Sequence, residues 1–218
     1  MADFEVARTK MVENQLRPNK VLDIKVTDAM RAVPREDFVP SAKRGVAYAD
    51  EDLQLAPGRW LMEPMLFGRL AQLAAVGPDD LALDVGAGMG YGAAVLGRLA
   101  SAVVALEEDE TLAGAATTAL SAAAADNVVV ETGPLTEGWP SQAPYDVILL
   151  EGAIEVRPDA LLDQLGEGGR LVAMQVEPNG IQRGVVYTKR GGRFSIHAEF
   201  DGSTPVLPGF KRAPAFVL

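Results

Sequence analysis

The 218-residue sequence predicts an α/β fold: a doubly wound, mostly parallel sheet with an antiparallel edge hairpin and an N-terminal helical cap. Three observations predict it. Short apolar runs at 81–85, 102–106, 128–130, 145–150 and 170–174 alternate with helical stretches at 90–99, 111–125 and after Pro158, the rhythm of parallel strands joined by crossover helices. Gly86, Gly88 and Gly90 interrupt the first run where a helical pattern begins. Gln182 to Lys189 and Arg193 to Phe200 flank Arg190-Gly191-Gly192, a tight hairpin signal, and an antiparallel edge closes such sheets naturally.

At the N-terminus, Phe4, Ala7, Met11 and Leu16 recur at near-helical spacing behind Asp3, a capping residue type. Val26, Met30 and Val33 form a second stripe that stops at Pro34. From Pro40 the chain is loop-rich through Tyr48, Asp50, Pro57 and Gly58, until Pro64 opens a helix with the stripe Leu66, Leu70, Leu73 and Ala74. Residues 1–78 are therefore assigned to a helical cap with a loop, and 79–218 to a nucleotide-binding core, the two forming one compact unit.

Composition narrows the chemistry. Apolar residues make up 48% and charged residues 23%, ordinary values for a globular domain, and no apolar run approaches the roughly 18 residues of a membrane span. The start, Met1-Ala2-Asp3-Phe4-Glu5, lacks a basic segment followed by an apolar one, so no secretory leader is expected and the cytoplasm is the expected compartment. With no cysteine and a single histidine, His197, disulfides, thiolate catalysis, a histidine triad and a Cys/His metal site are all set aside. His197 is expected as an exposed strand residue. The net charge of −10 argues against nucleic acid as a partner. The charge is uneven: residues 1–45 hold nine Lys/Arg against seven Asp/Glu, whereas 79–160 hold two against fourteen, a field favourable to a cationic ligand. Nothing in the pattern indicates an oligomeric state.

The stretch Leu81-Ala82-Leu83-Asp84-Val85-Gly86-Ala87-Gly88-Met89-Gly90-Tyr91 is the most informative. Glycine tolerates positive φ and lets backbone approach a ligand closely at the start of a helix. Read from Gly88, the sequence Gly88-Met89-Gly90-Tyr91-Gly92-Ala93 also fits a dinucleotide fingerprint. Glu107 ends the second strand about 20 residues on, where a ribose-binding acid is required, and does not separate the two. Position does: some 80 residues precede the corner and one mononucleotide-sized half follows, which favours a methyltransferase. The wording resembles motif I of class I S-adenosylmethionine-dependent methyltransferases, in which Asp84 orients the loop and approaches the methionine end of the cofactor.

The wider sequence is similar to the protein-L-isoaspartate O-methyltransferase family from about residue 8 to about 174. Met11-Val12-Glu13-Asn14-Gln15-Leu16 and Val33-Pro34-Arg35-Glu36-Asp37-Phe38-Val39-Pro40 carry the resemblance, with Ala47-Tyr48-x-Asp50, Gly138-Trp139-Pro140, Ala143-Pro144-Tyr145-Asp146 and Gln164-Leu165 through Gly168-Gly169-Arg170. It implies a seven-stranded methyltransferase sheet, S-adenosylmethionine as cofactor, and isoaspartyl peptides or proteins as substrates in repair. It implies cofactor contacts at Asp84, Gly86, Ala87, Gly88, Gly90, Tyr91, Glu107 and the amide of Leu135. Where the family has Gly-Gln-Thr-Ile-Ser-x-Pro, this chain has Gly58-Arg59-Trp60-Leu61-Met62-Glu63-Pro64. The serine considered to assist catalysis falls on Met62 and the threonine on Trp60, so no catalytic side chain is assigned. In the acceptor loop of Arg59, Trp60 and Met62, Arg59 is the expected cation for an acceptor carboxylate, and Trp60, Leu61 and Met62 are equally suited to the core. The family's adenine-binding Gly-Asp-Gly is Gly133-Pro134-Leu135 here, without that carboxylate.

Overall fold

Alternation of apolar runs and helices resolves into a seven-stranded sheet in the computed structural model, which describes residues 3–213. Its strands are β3 (Leu81–Val85), β4 (Ala102–Glu107), β5 (Val128–Thr132), β6 (Tyr145–Ile154), β7 (Leu165–Val176), β8 (Gln182–Arg190) and β9 (Arg193–Asp201). The order is β5-β4-β3-β6-β7-β8-β9. The first five are mutually parallel and β8 and β9 complete an antiparallel edge. Gly191 and Gly192 turn that hairpin with φ of 58° and 69°, and His197 is exposed on β9. Two strands precede the sheet. β1 (Leu53–Ala56) and β2 (Arg59–Leu61) form a separate antiparallel pair, which the loop-rich expectation for this region missed because strands of three and four residues carry no periodicity.

The helices follow their caps. α1 (Phe4–Met11) starts where Asp3 accepts from the Val6 amide and runs into a π-helical turn at Val12–Leu16. α2 (Ile24–Ala32) starts at Asp23 and ends two residues before Pro34. α3 (Pro64–Ala74) has Pro64 in its first turn, where the missing amide hydrogen costs nothing. α4 (Tyr91–Gly97), α5 (Glu110–Ala122) and α6 (Asp159–Asp163) connect the parallel strands. The Asp109 carboxylate accepts from both Thr111 and Leu112 at the start of α5. Asp109→Ala is expected to cost about 1 kcal/mol, lowering the melting temperature by about 2–4 °C in thermal denaturation.

One apolar core runs from Met11 and Leu16 in the cap through Leu66 and Phe67 of α3 to Val147 and Val172 on the sheet. The opposite face packs Leu83, Ile148, Leu161 and Leu171. Ala82 and Leu83 thus feed different faces, as a strand covered on both sides must. The cap is thus packed onto the sheet by a shared core. After β9 the chain returns across the end of β6, where Ala153 donates to Pro205 and Leu207 donates to Ala153 at 3.0 and 2.9 Å. Among the described residues no helix is long and apolar enough to cross a membrane. Met1 and Ala2 of the N-terminal segment weighed above, and 214–218, lie outside the described residues.

Candidate active site

Sheet order places the glycine corner. β3 lies between β4 and β6, so successive connections leave it in opposite directions and a crevice forms beyond the carboxyl ends of these strands. Gly86, Gly88 and Gly90 adopt φ of 83°, 57° and 91°, which a side chain would resist. The corner does not offer a nest of free amides. Gly86 and Ala87 donate to Leu106, Gly90 donates to Ala87, and Gly88 donates to Glu107 at 2.7 Å. A pyrophosphate needs such amides, so this geometry favours close approach of a nucleoside over a dinucleotide.

Glu107 ends β4 fully buried. Its Oε1 accepts from the amides of Glu108 and Asp109 at 3.0 and 3.1 Å. Arg59, 3% exposed, reaches it from β2, with Nε 3.1 Å from Oε1 and Nη2 2.6 Å from Oε2. Sequence reasoning placed Arg59 opposite an acceptor carboxylate; its fork is instead committed to the chain's own Glu107. Arg59 and Leu207 close over Gly86, and Leu55 of β1 closes over Gly88.

Beneath this pair, Asp84 at the end of β3 faces Glu151 of β6, and both are buried. Neither Asp84 oxygen, nor Glu151 Oε1, finds a hydrogen-bond donor among the described residues. Burial pushes both carboxyls up, reinforced at Asp84 by the Glu107 carboxylate and at Glu151 by Asp84, and one proton held between them gives the pair a shared hydrogen bond while one Asp84 oxygen keeps no donor. Arg35, fully buried, donates to Ala47 at 2.7 Å and to Met62 at 2.5 Å. Arg59 acts on Glu107, Asp84 and Glu151, and Arg35 on Glu151; two buried cations among three buried carboxyls favour a proton on one of those carboxyls. Neither Glu151 nor Arg35 was singled out from sequence. An acidic residue closing an otherwise apolar strand, Leu149-Leu150-Glu151, was the available signal.

The protonated pair has a pH consequence. Burial, with Asp52 and Asp50 close by, likewise raises Glu63 to about 7. Carboxyls raised in the folded chain retain protons that the unfolded chain releases above about pH 4. Their stabilisation is complete below that pH and is lost as pH rises through the raised values. Thermal denaturation is expected to give a lower melting temperature at pH 8 than at pH 5, and Glu151→Gln, which cannot ionise, to narrow the gap.

Other expected site residues are distributed differently. Tyr91 is not at the crevice: its ring is fully buried, against Phe67, Phe38 and the Arg35 guanidinium, because the first turn of α4 points it at the cap. Met62 is fully buried and forms no wall of the crevice. Trp60 is half-buried on the face of β2 opposite Arg59. Leu135 buries its side chain, and its amide and Arg59 oppose the rise in the Glu108 carboxyl that burial causes. Past Arg59 a groove of about 530 Å³ opens between Pro57, Glu108, Asp109, Gly133, Pro134 and Pro208. It continues the line from Glu107 to the end of β5, where a base would follow its ribose.

Comparison with known proteins bears on the family and the fold. Residues 7–202 match the family model described as Protein-L-isoaspartate(D-aspartate) O-methyltransferase. A protein-L-isoaspartate O-methyltransferase of Methylorubrum extorquens is 43% identical over 189 residues, 87% of this chain and 82% of the relative. One of Koribacter versatilis is 38% identical over 193 residues, 88% of this chain and 86% of the relative. A solved structure with the same family name superposes with a TM-score of 0.79 over 93% of this chain and 66% of the other, at 22% identity. A Plasmodium falciparum structure assigned to the family, in complex with S-adenosyl-L-homocysteine, gives 0.78 over 92% of this chain and 97% of the other, at 21% identity.

Proposed function

The chain belongs to the protein-L-isoaspartate(D-aspartate) O-methyltransferase family, and from that premise we propose that it transfers the methyl group of S-adenosylmethionine to isoaspartyl carboxylates of damaged peptides and proteins. The observation that carries the reading is the pairing of a close-approach glycine corner with a buried acid at the end of the next strand, Gly86 to Gly90 with Glu107. Those residues fit the group. Glu107 would take the ribose hydroxyls, Asp84 would meet the methionine end, and the groove at Gly133 and Pro134 would receive the adenine. Bound there, the cofactor supplies an electrophilic methyl on a sulfonium.

The protein's own part is positioning. An isoaspartyl carboxylate has a pKa of about 3.5 and is ionised at neutral pH, so no side chain has to remove a proton. Alignment and exclusion of water can supply about 7–11 kcal/mol, and Leu55 and Leu207 cover the corner with apolar atoms. The loss of the family's hydroxyls at Trp60 and Met62 removes polar contacts worth about 0.5–1.5 kcal/mol each, not a reactive group.

A second reading, a family member that keeps the fold and is silent in transfer or has changed its acceptor, is favoured by one observation: Arg59 holds the acid that the ribose needs. Transfer of labelled methyl to an isoaspartyl peptide, with the matching aspartyl peptide as control, separates the two. Labelling of the isoaspartyl peptide alone is the expected result. Binding of S-adenosylhomocysteine without transfer to either peptide favours the second reading.

A further inference from the structure

Glu107 has no acceptor capacity to spare. A carboxylate offers about four lone-pair positions, and five donors converge on it: the Nε and Nη2 of Arg59 and the amides of Gly88, Glu108 and Asp109. The amides belong to the fixed frame of the corner. Arg59 alone comes from elsewhere, and it occupies the place that a ribose must take. The space over the corner is filled partly by the same hairpin: a methyl added to Gly88 would lie 2.6 Å from Leu55, and one added to Gly86 would lie 2.9 Å from Leu207 and 3.1 Å from Arg59 Nη2.

We infer that Arg59 is a built-in competitor for the ribose position, and that a cationic nucleoside enters by displacing Arg59 together with the tip of the β1–β2 hairpin. The inference rests on the proposed function and deepens it. The hairpin is built for such a motion. Among the described residues β1 and β2 pair only with each other, their turn at Pro57-Gly58 is exposed with Gly58 at φ 74°, and the register shifts between Gln54 and Ala56. Its base is fixed: Leu53, Leu61 and Met62 are buried and the Glu63 amide donates to Asp52 at 2.8 Å. Residues 55–60 therefore move about a held base.

Charge decides which ligand displaces it well. Withdrawal of Arg59 takes one positive charge out of the buried set of Arg35, Arg59, Asp84, Glu107 and Glu151. The sulfonium donor carries a sulfonium, an ammonium and a carboxylate, net +1, and restores the balance. Its demethylated product is neutral and does not. Exchange is therefore matched for the donor and mismatched for the product, so that return of Arg59 helps to expel the product after transfer.

Equilibrium titration tests this with two non-reactive probes, the cationic amine analogue sinefungin and the neutral S-adenosylhomocysteine, on the wild type, Arg59→Met and Arg59→Lys. A competitor that keeps the site closed weakens the apparent affinity by the fraction of open protein, so Arg59→Met is expected to bind both probes at least about tenfold more tightly than the wild type. Arg59→Lys, which keeps a cation but loses the fork, is expected to fall between them, and it serves if Arg59→Met does not fold. The wild type is expected to hold sinefungin severalfold more tightly than S-adenosylhomocysteine. Unchanged or weaker binding in the Arg59 variants overturns the competitor, and equal or stronger binding of S-adenosylhomocysteine by the wild type overturns the charge matching. Binding of neither probe by any of the three proteins contradicts the proposed function instead.

Discussion

Glu107→Ala is expected to destabilise the fold by about 3–5 kcal/mol, the cost of leaving one member of a buried ion pair without its partner. Arg59, 3% exposed, would lose its bidentate partner, and the amides of Gly88, Glu108 and Asp109 would lose their acceptor together. For a chain of this length each kcal/mol lowers the melting temperature by about 2–4 °C, so thermal denaturation should show a fall of roughly 6–20 °C. Glu107→Gln keeps the shape and one acceptor oxygen and is expected to lose less stability. Both variants are expected to lose nucleoside binding, because an amide cannot accept from two ribose hydroxyls while also meeting the amides of the corner. A small loss in Glu107→Ala would mean that water reaches the pair and that the ion pair contributes little.

Arg35→Met is expected to cost a comparable amount, about 3–5 kcal/mol, by a different route. Arg35 is fully buried at the junction of the cap, the hairpin base and α4. Its guanidinium ties the carbonyls of Ala47 and Met62 together, lies 4.7 Å from the centre of the Tyr91 ring, and supplies one of the two cations in the buried charge set. Methionine fills the volume and does none of this. Beyond a lower melting temperature, hydrogen exchange should rise in residues 47–62, the segment those two carbonyls bracket. Arg35→Lys is expected to recover only part of the loss, since a single ammonium cannot span both carbonyls. Exchange unchanged in 47–62 would show that the segment is held by its apolar anchors alone.

Much of the fold was legible because its strands are covered on both faces. Runs such as Val103-Val104-Ala105-Leu106 and Ile148-Leu149-Leu150 have no polar face to lose, and their alternation with Asp109-capped and Pro64-initiated helices leaves little choice but a doubly wound sheet. The glycine corner and Glu107 were legible because their spacing is set by one strand, one helix and the return strand. What was not legible depends on contacts between distant segments. Arg59 and Glu107 are 48 residues apart, and nothing local marks the arginine as the partner of that acid rather than of a substrate carboxylate. Tyr91 follows the last glycine and reads as a ligand contact, yet one turn of helix directs it into the cap. Glu151 lies hidden at the end of an apolar strand, its pairing with Asp84 set by sheet register: Asp84 lies opposite Leu149, two residues earlier on β6.

The measurement that bears most directly on the account is calorimetric titration of the wild type and Glu107→Gln with S-adenosylmethionine. One molecule bound per wild-type chain, with binding lost in Glu107→Gln, is the predicted result. No binding by the wild type, or equal binding by Glu107→Gln, would contradict the assignment of this crevice as the cofactor site.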